Sequence, residues 1–151
     1  MPNPTTEIDP VRRRDFAVFR QIPTRWMDND AYGHVNNVIY YSWFDTAVNA
    51  FLVDTGLLDI QHGRMIGLVV ETGCRYHRSV AFPEIVDVGV RIARLGTSSV
   101  RWEVGIFTAN DDRVAAQGFF VHVYVDRESR RPVALPDEWR HRLAPFMLGA
   151  Y

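Results

Sequence analysis

The sequence predicts an α+β fold in which one long helix is wrapped by a single curved antiparallel sheet. Three observations predict it. Residues 37–54 carry apolar side chains at steps of three and four, as a half-buried helix does. Four later segments have the length and apolar content of strands, and two of them, at 86–93 and 100–106, alternate apolar and polar residues as half-buried strands do. Short turns separate these segments, which implies antiparallel neighbours.

The composition is that of a folded domain. The chain has 151 residues, 47% of them hydrophobic and 13% aromatic, which fits one globular domain and excludes a disordered chain. A net charge of −1 gives no general electrostatic reason to bind nucleic acid. No window approaches the roughly 20 apolar residues of a membrane span. Cys74 is the single cysteine, which favours a reducing, cytoplasmic location.

The first elements are a tail, a strand and the long helix. Residues 1–14 are rich in proline and polar groups and predict a flexible tail, so the domain is placed at residues 15–151. Residues 16–22 predict a strand, and Pro23 indicates an edge strand or its end. Asn36 or Asn37 is the predicted N-cap of the helix, and Gly56 its stop. The predicted buried stripe consists of Val38, Tyr41, Phe44, Val48, Phe51 and Leu52.

The remaining chain predicts four strands and a terminal helix. The strands are expected near residues 66–76, 86–93, 100–106 and 113–125. The last of them is apolar on both faces in residues 119–125, which predicts a central position in the sheet. Proline and acidic residues at 136–138 are typical of the first turn of a further helix.

The loop before the helix holds the candidate chemistry. Asp30 lies seven residues before Asn37, where the helix begins with unsatisfied N–H groups and partial positive charge. Such amides can hold a developing oxyanion, and a carboxylate across a thioester carbonyl can attack it or activate water. The residues alone also allow plain turn and capping roles for Asp28, Asp30 and Asn36, and an exposed His34. A third interpretation of the loop is a metal site with Asp28, Asp30 and His34 as ligands.

The loop also resembles a known family. Its run D-N-D-A-Y-G-H-V-N-N at 28–37, followed by Tyr40, Phe44 and Asp45, is similar to the signature of hotdog-fold acyl-CoA thioesterases of the 4-hydroxybenzoyl-CoA thioesterase type. The likeness extends over about residues 16–125. It implies a hotdog fold with a five- or six-stranded antiparallel sheet. It also implies a homodimer joined edge to edge, often doubled to a homotetramer, with active sites at the dimer interface.

The resemblance assigns roles to individual residues and implies no cofactor and no metal. Asp30 falls on the position of the nucleophile or general base, the N–H of Asn37 on the amide that polarises the carbonyl, and His34 on an orienting residue. Asn37 stands where some relatives carry a histidine, so its side chain cannot act as a base. The substrate would contact Gly33, Val35, Asn36, Tyr40 and Tyr41, and the CoA phosphates would have candidate partners in Arg75 and Arg78.

Two other functions remain open from the sequence. The first is another enzyme of the hotdog fold, an enoyl-thioester hydratase. Its D-x-N-P-x-H pattern has no match here, because the proline is missing and His34 stands six residues after Asp28. A non-catalytic acyl-thioester binding protein would keep the fold while Asp30 served only the turn. Neither a nucleic acid nor a membrane is an expected partner.

Overall fold

The structure is a computed structural model that describes residues 10–148. One five-stranded antiparallel sheet and one long helix dominate it, which confirms the predicted α+β hotdog arrangement. The elements are β1 (Val18–Pro23), α1 (Asn37–Asp54), β2 (Met65–Tyr76), β3 (Ile85–Leu95), β4 (Ser99–Thr108), β5 (Ala116–Asp126) and α2 (Asp137–Leu143). The strand order is β1-β3-β4-β5-β2, and every neighbouring pair is antiparallel.

The ends of α1 agree with the sequence signals. The side chain of Asn36 is the N-cap, and its Oδ1 accepts a hydrogen bond of 3.1 Å from the N–H of Val38. This bond satisfies one of the free donors in the first turn. After Asp54 the chain leaves the helix, and Gly56 takes the left-handed conformation at φ +75°, which is common just past a helix end.

The buried face of α1 differs from the predicted stripe at one residue. Phe44, Val48, Phe51 and Leu52 are buried as expected, and Tyr41 is half-buried. Val38 was predicted to be buried but is 59% exposed. At about 100° per residue it lies about 120° around the helix from Phe44, so it projects past the sheet. Tyr40, Trp43 and Ala47 complete the buried face instead.

The sheet presents one apolar face to α1. Val86, Val88, Val90 and Ile92 of β3 and Val100, Trp102, Val104 and Ile106 of β4 are all buried. Alternate residues of these strands point to the opposite, outer face. Gly118 of β5 lets the helix approach closely, because a Cβ there would lie 2.2 Å from the ring of Phe44. The core therefore fills the space between α1 and the inner face of the sheet.

The position of each edge matters for the site. β5 lies between β4 and β2, which confirms its predicted central position. β1 is an edge strand that ends at Pro23, as its proline indicated. β2 forms the other edge, and Leu68, Val69 and Val70 are 39%, 48% and 61% exposed there. An edge of this length leaves a row of backbone donors and acceptors without strand partners.

The segment before β1 contacts the outer face of the sheet. Residues 1–9 of the predicted tail lie outside the described residues. Arg13 donates to Asp87 Oδ2 at 2.8 Å and to the carbonyl of Asp111 at 2.8 Å. Phe16 packs with Phe107 and Val114 in a small apolar cluster separate from the main core. This segment is thereby held against β3 and β4.

Candidate active site

The loop between β1 and α1 is a tight turn closed by its own backbone. The N–H of Asp30 donates to the carbonyl of His34 at 2.8 Å, and the N–H of Gly33 donates to the carbonyl of Asp30 at 3.1 Å. Gly33 has φ +82°, a left-handed conformation that side-chain-bearing residues rarely adopt. A Cβ at this position would meet no atom within 4 Å, so the turn requires glycine for its backbone conformation and not for space.

The two aspartates of the loop have different environments. Asp28 is 1% exposed, and both of its oxygens are occupied by Arg25. Oδ1 accepts from Nε at 3.0 Å and from Nη2 at 2.8 Å, while Oδ2 accepts from the backbone N–H at 2.7 Å. The carbonyl of Asp28 also accepts from the N–H of Asn36 at 2.8 Å. Asp28 therefore holds the loop in shape and has no oxygen left for a ligand.

Asp30 keeps one oxygen available. Its Oδ1 accepts a hydrogen bond of 2.8 Å from the N–H of Tyr32, which fixes the carboxylate in the turn. Its Oδ2 accepts no hydrogen bond from any residue between 10 and 148. The side chain is partly exposed. This arrangement orients the carboxylate and leaves the second oxygen for water or substrate.

The start of α1 is fixed from three sides. Asn36 caps it, the N–H of Val35 donates to the carbonyl of Val80 at 2.8 Å, and the hydroxyl of Tyr76 donates to the carbonyl of Asn37 at 2.8 Å. Burial raises the pKa of the Tyr76 phenol, which keeps it protonated as a donor. The N–H of Asn37 donates to no acceptor within the described range. It is thus a positioned, free donor at the positive end of the helix dipole.

Asp30 and Asn37 line the same cleft. The cleft has a volume of about 380 Å³ and lies at the beginning of α1. Its walls come from the loop, the first turns of α1 and the segment that follows β2: Asp30, His34, Val35, Asn37, Tyr40, Tyr76, His77, Arg78 and Ser79. A carboxylate oxygen and a backbone amide in one cleft are the two groups that a carbonyl substrate requires.

The other residues singled out from the sequence are spread over different places. His34 is exposed and lines the cleft. Gly33 and Asn36 shape the turn and the helix cap and do not line the cleft. Tyr41 lies outside it and packs edge-on against Phe44 at 5.9 Å between ring centroids.

The two arginines predicted to meet CoA phosphates differ in their neighbours. Nη2 of Arg78 donates to Thr108 Oγ1 at 2.7 Å and lies 3.5 Å from Asp111 Oδ2, so this guanidinium already has an anionic neighbour. Arg75 is exposed and lines a second cavity, on the outer face of the sheet.

Three cleft residues were not assigned a role from the sequence. Tyr76, His77 and Ser79 lie at the end of β2 or just after it. Only the topology brings this segment to the helix start, because the whole of α1, residues 55–64 and β2 lie between the two in sequence. The one local hint is the strand pattern, which places Tyr76 on the same face of β2 as the half-buried Cys74.

Three further observations concern the cysteine, possible metal ligands and the helices of the described residues. Burial raises the pKa of the Cys74 thiol to about 11, which keeps it protonated and a poor nucleophile at neutral pH. No group of three His, Cys, Asp or Glu side chains between residues 10 and 148 is placed to hold a metal ion. None of the helices in the same range is long and apolar enough to cross a membrane.

Comparison with known proteins agrees with the fold. Residues 24–143 match the family model of the thioesterase-like superfamily. The crystal structure of the PA5185 protein from Pseudomonas aeruginosa is 51% identical, with a TM-score of 0.88 over 93% of this chain and 99% of that one. The PA2801 protein of the same organism is 31% identical, with a TM-score of 0.76 over 82% and 95%. A Thermus thermophilus thioesterase complexed with coenzyme A and zinc is 30% identical, with a TM-score of 0.73 over 87% and 95%.

Proposed function

The chain belongs to the thioesterase-like superfamily, and on that premise we propose that it hydrolyses acyl-CoA thioesters to a free acid and CoA. One observation carries the proposal: Asp30, whose Oδ2 accepts no hydrogen bond from residues 10–148, and Asn37, whose N–H donates none within that range, line one cleft. The CoA complex of the Thermus thermophilus neighbour supports the choice of a CoA thioester over other thioesters.

The proposed reaction begins with Asp30 as a general base. Asp30 takes a proton from water while the water oxygen attacks the thioester carbonyl carbon. Negative charge gathers on the carbonyl oxygen, where the N–H of Asn37 stabilises it. The C–S bond then breaks, and the CoA thiolate leaves with the proton that Asp30 held. No strong general acid is required, because a thiolate is a good leaving group.

The same carboxylate also fits a nucleophilic route. Oδ2 of Asp30 would attack the carbonyl carbon, the C–S bond would break, and water would then hydrolyse the mixed anhydride. Turnover in heavy-oxygen water reports the nucleophilic route when water attacks the Asp30 carbonyl carbon of the anhydride, because that step alone places the label in the carboxylate of Asp30. Mass analysis of the Asp30 peptide reads the result.

A panel of short, long, branched and aromatic acyl-CoAs tests the function. We expect wild-type protein to release free thiol from at least one of them. Crotonyl-CoA belongs in the panel, because loss of its enoyl absorbance without thiol release would indicate a hydratase. Tight binding of acyl-CoA with no turnover of any panel member would instead indicate a binding protein, and either result would refute the proposal.

The proposed active form is a homodimer joined through β2. Leu68, Val69 and Val70 are exposed on this edge, and pairing with a second β2 would cover them and satisfy its open backbone groups. Antiparallel pairing about Val70 would bring the start of the partner's β2 beside Tyr76, at the wall of the cleft. Doubling to a homotetramer is compatible with this pairing.

Solution mass tests the dimer. Val70→Lys places a charge on the exposed edge and should give a monomer by light scattering, with greatly reduced hydrolysis. Val53→Lys is the matched control, because Val53 is 45% exposed on α1, away from β2. A monomeric wild type at micromolar concentration, or a Val70→Lys variant that keeps the wild-type mass, would contradict this interface.

A further inference from the structure

Tyr40 and Val35 form the floor of the cleft at the start of α1. They are 3% and 5% exposed, whereas the other residues that line the cleft are exposed or partly exposed. Asn37 lies about one helical turn before Tyr40. An acyl group whose carbonyl oxygen is held at the N–H of Asn37 is therefore within reach of this floor.

Buried residues support the floor from behind. The Trp43 ring, 4% exposed, lies 4.9 Å from the Tyr40 ring between centroids. Val80 is fully buried, and its carbonyl accepts the hydrogen bond from the N–H of Val35. The Tyr76 ring stands at 87° to the Tyr40 ring, with 5.0 Å between centroids, so that the two rings make a corner. An acyl chain cannot pass this floor without displacing closely packed side chains.

The sheet is covered directly beyond the floor. Two positions inward from Tyr76 on β2 lies Cys74, which pairs with Gly118 of β5. Phe44, one helical turn after Tyr40, is fully buried and so close to Gly118 that a Cβ there would lie 2.2 Å from its ring. Phe44 therefore fills the space between α1 and the sheet behind the cleft, where a long acyl chain would otherwise run.

The remaining walls of the cleft do not suit an alkyl chain. Polar side chains supply much of their surface: His34, His77, Arg78 and Ser79. An alkyl chain that lies along these groups would shield them from water without offering a hydrogen bond. That cost offsets the gain from burying methylene groups. The apolar surface that the cleft offers to an acyl group is thus small.

We propose that Tyr40 limits the length of the acyl chain, and that the substrates are CoA thioesters of short acyl chains. The proposal rests on the proposed function and adds a substrate class to it. The first carbons of the chain pack in the corner between Tyr40 and Tyr76. Further carbons extend into solvent or along the polar walls, so they add nothing to the stability of the bound transition state.

A series of straight-chain acyl-CoAs, from acetyl-CoA to palmitoyl-CoA, tests the limit. Each methylene group that enters an apolar pocket should raise kcat/KM about fourfold. We expect this rise for the first members of the series. From octanoyl-CoA onwards we expect kcat/KM to stay level or to fall, because the added carbons gain no apolar contact.

Tyr40→Leu should move the limit towards longer chains, because leucine leaves part of the space of the phenol ring empty. The ratio of kcat/KM for decanoyl-CoA to that for butanoyl-CoA should rise about tenfold or more above the wild-type ratio, as about two newly buried methylene groups would give. Both substrates are measured on the same sample, so a smaller folded fraction cancels from the ratio. Tyr40→Phe is the matched control; it keeps the ring and should keep the wild-type ratio.

Binding to the wild type gives a second readout that needs neither turnover nor a variant. S-alkyl-CoA thioethers of the same lengths have no thioester bond and cannot be hydrolysed. Their affinities, measured by calorimetry, should rise with the first carbons of the alkyl chain and then level off. This series decides the length limit even if Tyr40→Leu does not fold.

Three results would be decisive against the proposal or its premise. A wild-type kcat/KM that keeps rising to palmitoyl-CoA would overturn it, since the chain would then bind an apolar surface other than the floor. An unchanged substrate ratio in folded Tyr40→Leu would show that Tyr40 does not set the limit. If the wild type hydrolyses no member of the series, the proposed function fails. The thioether affinities then decide alone: levelling supports the limit, and a continued rise contradicts it.

Discussion

Replacing each loop aspartate by asparagine should separate shape from chemistry. Asp28→Asn is expected to destabilise the fold, and Asp30→Asn is not. The buried carboxylate of Asp28 accepts three hydrogen bonds from Arg25, and an asparagine keeps only one of its two acceptor oxygens. The new NH₂ group would face a donor of Arg25.

The magnitude follows from those contacts. A hydrogen bond to a charged group contributes about 1.5–3 kcal/mol, and loss of one partner of a buried pair costs somewhat more. Because the Arg25 side chain is 61% exposed, solvent offsets part of this loss. We expect Asp28→Asn to lower the free energy of unfolding by about 2–4 kcal/mol, or Tm by roughly 5–15 °C.

Asp30→Asn is the internal control. The amide oxygen can still accept from the N–H of Tyr32, so the turn should survive. Its free energy of unfolding should change by less than about 0.5 kcal/mol, as at other solvent-accessible positions. Urea unfolding followed by circular dichroism measures both variants. A stable Asp28→Asn together with an unstable Asp30→Asn would refute the assignment of roles.

Three further predictions concern the surroundings of the cleft. Tyr76→Phe removes the hydrogen bond to the carbonyl of Asn37 and should lower the free energy of unfolding by about 1 kcal/mol, measured in urea; no loss would contradict that bond. Gly33→Ala should lower stability by about 1–2 kcal/mol because φ is +82°, although a methyl group has space; a neutral result would deny the left-handed turn. Alkylation of Cys74 should be slow at pH 8, with about one thiol in 10³ ionised, and should accelerate tenfold per pH unit towards pH 11. A rate that levels off near pH 9 would show that burial does not raise this pKa.

The main elements could be read from local sequence patterns. Apolar periodicity gave the helix and the inner faces of β3 and β4, and Asn36 and Gly56 gave the helix ends. These signals are local, because capping and strand alternation depend on neighbouring residues. The exposure of Val38 shows their limit, since the edge of a buried face depends on where the sheet ends.

Local sequence patterns predict the candidate site only in part. The loop motif placed Asp30, His34 and Asn37 near one another because they are close in sequence and the turn is tight. Tyr76, His77 and Ser79 reach the cleft because β2 runs to the start of α1, a long-range contact that the local strand pattern does not show. The different hydrogen bonding of Asp28 and Asp30 could not be predicted either. It depends on the Arg25 side chain, which contacts the carboxylate of Asp28 and not that of Asp30.

The central claim concerns the free oxygen of Asp30, and the turnover number of Asp30→Asn tests it most directly. The measurement is thiol release at a saturating concentration of the best acyl-CoA in the panel, on folded protein of wild-type mass. We predict that kcat falls by a factor of about 10²–10⁴, the usual contribution of a positioned base, while KM changes little. A variant that turns over at more than about half the wild-type rate would contradict the account, because Asp30 is the one carboxylate among residues 10–148 that lines this cleft.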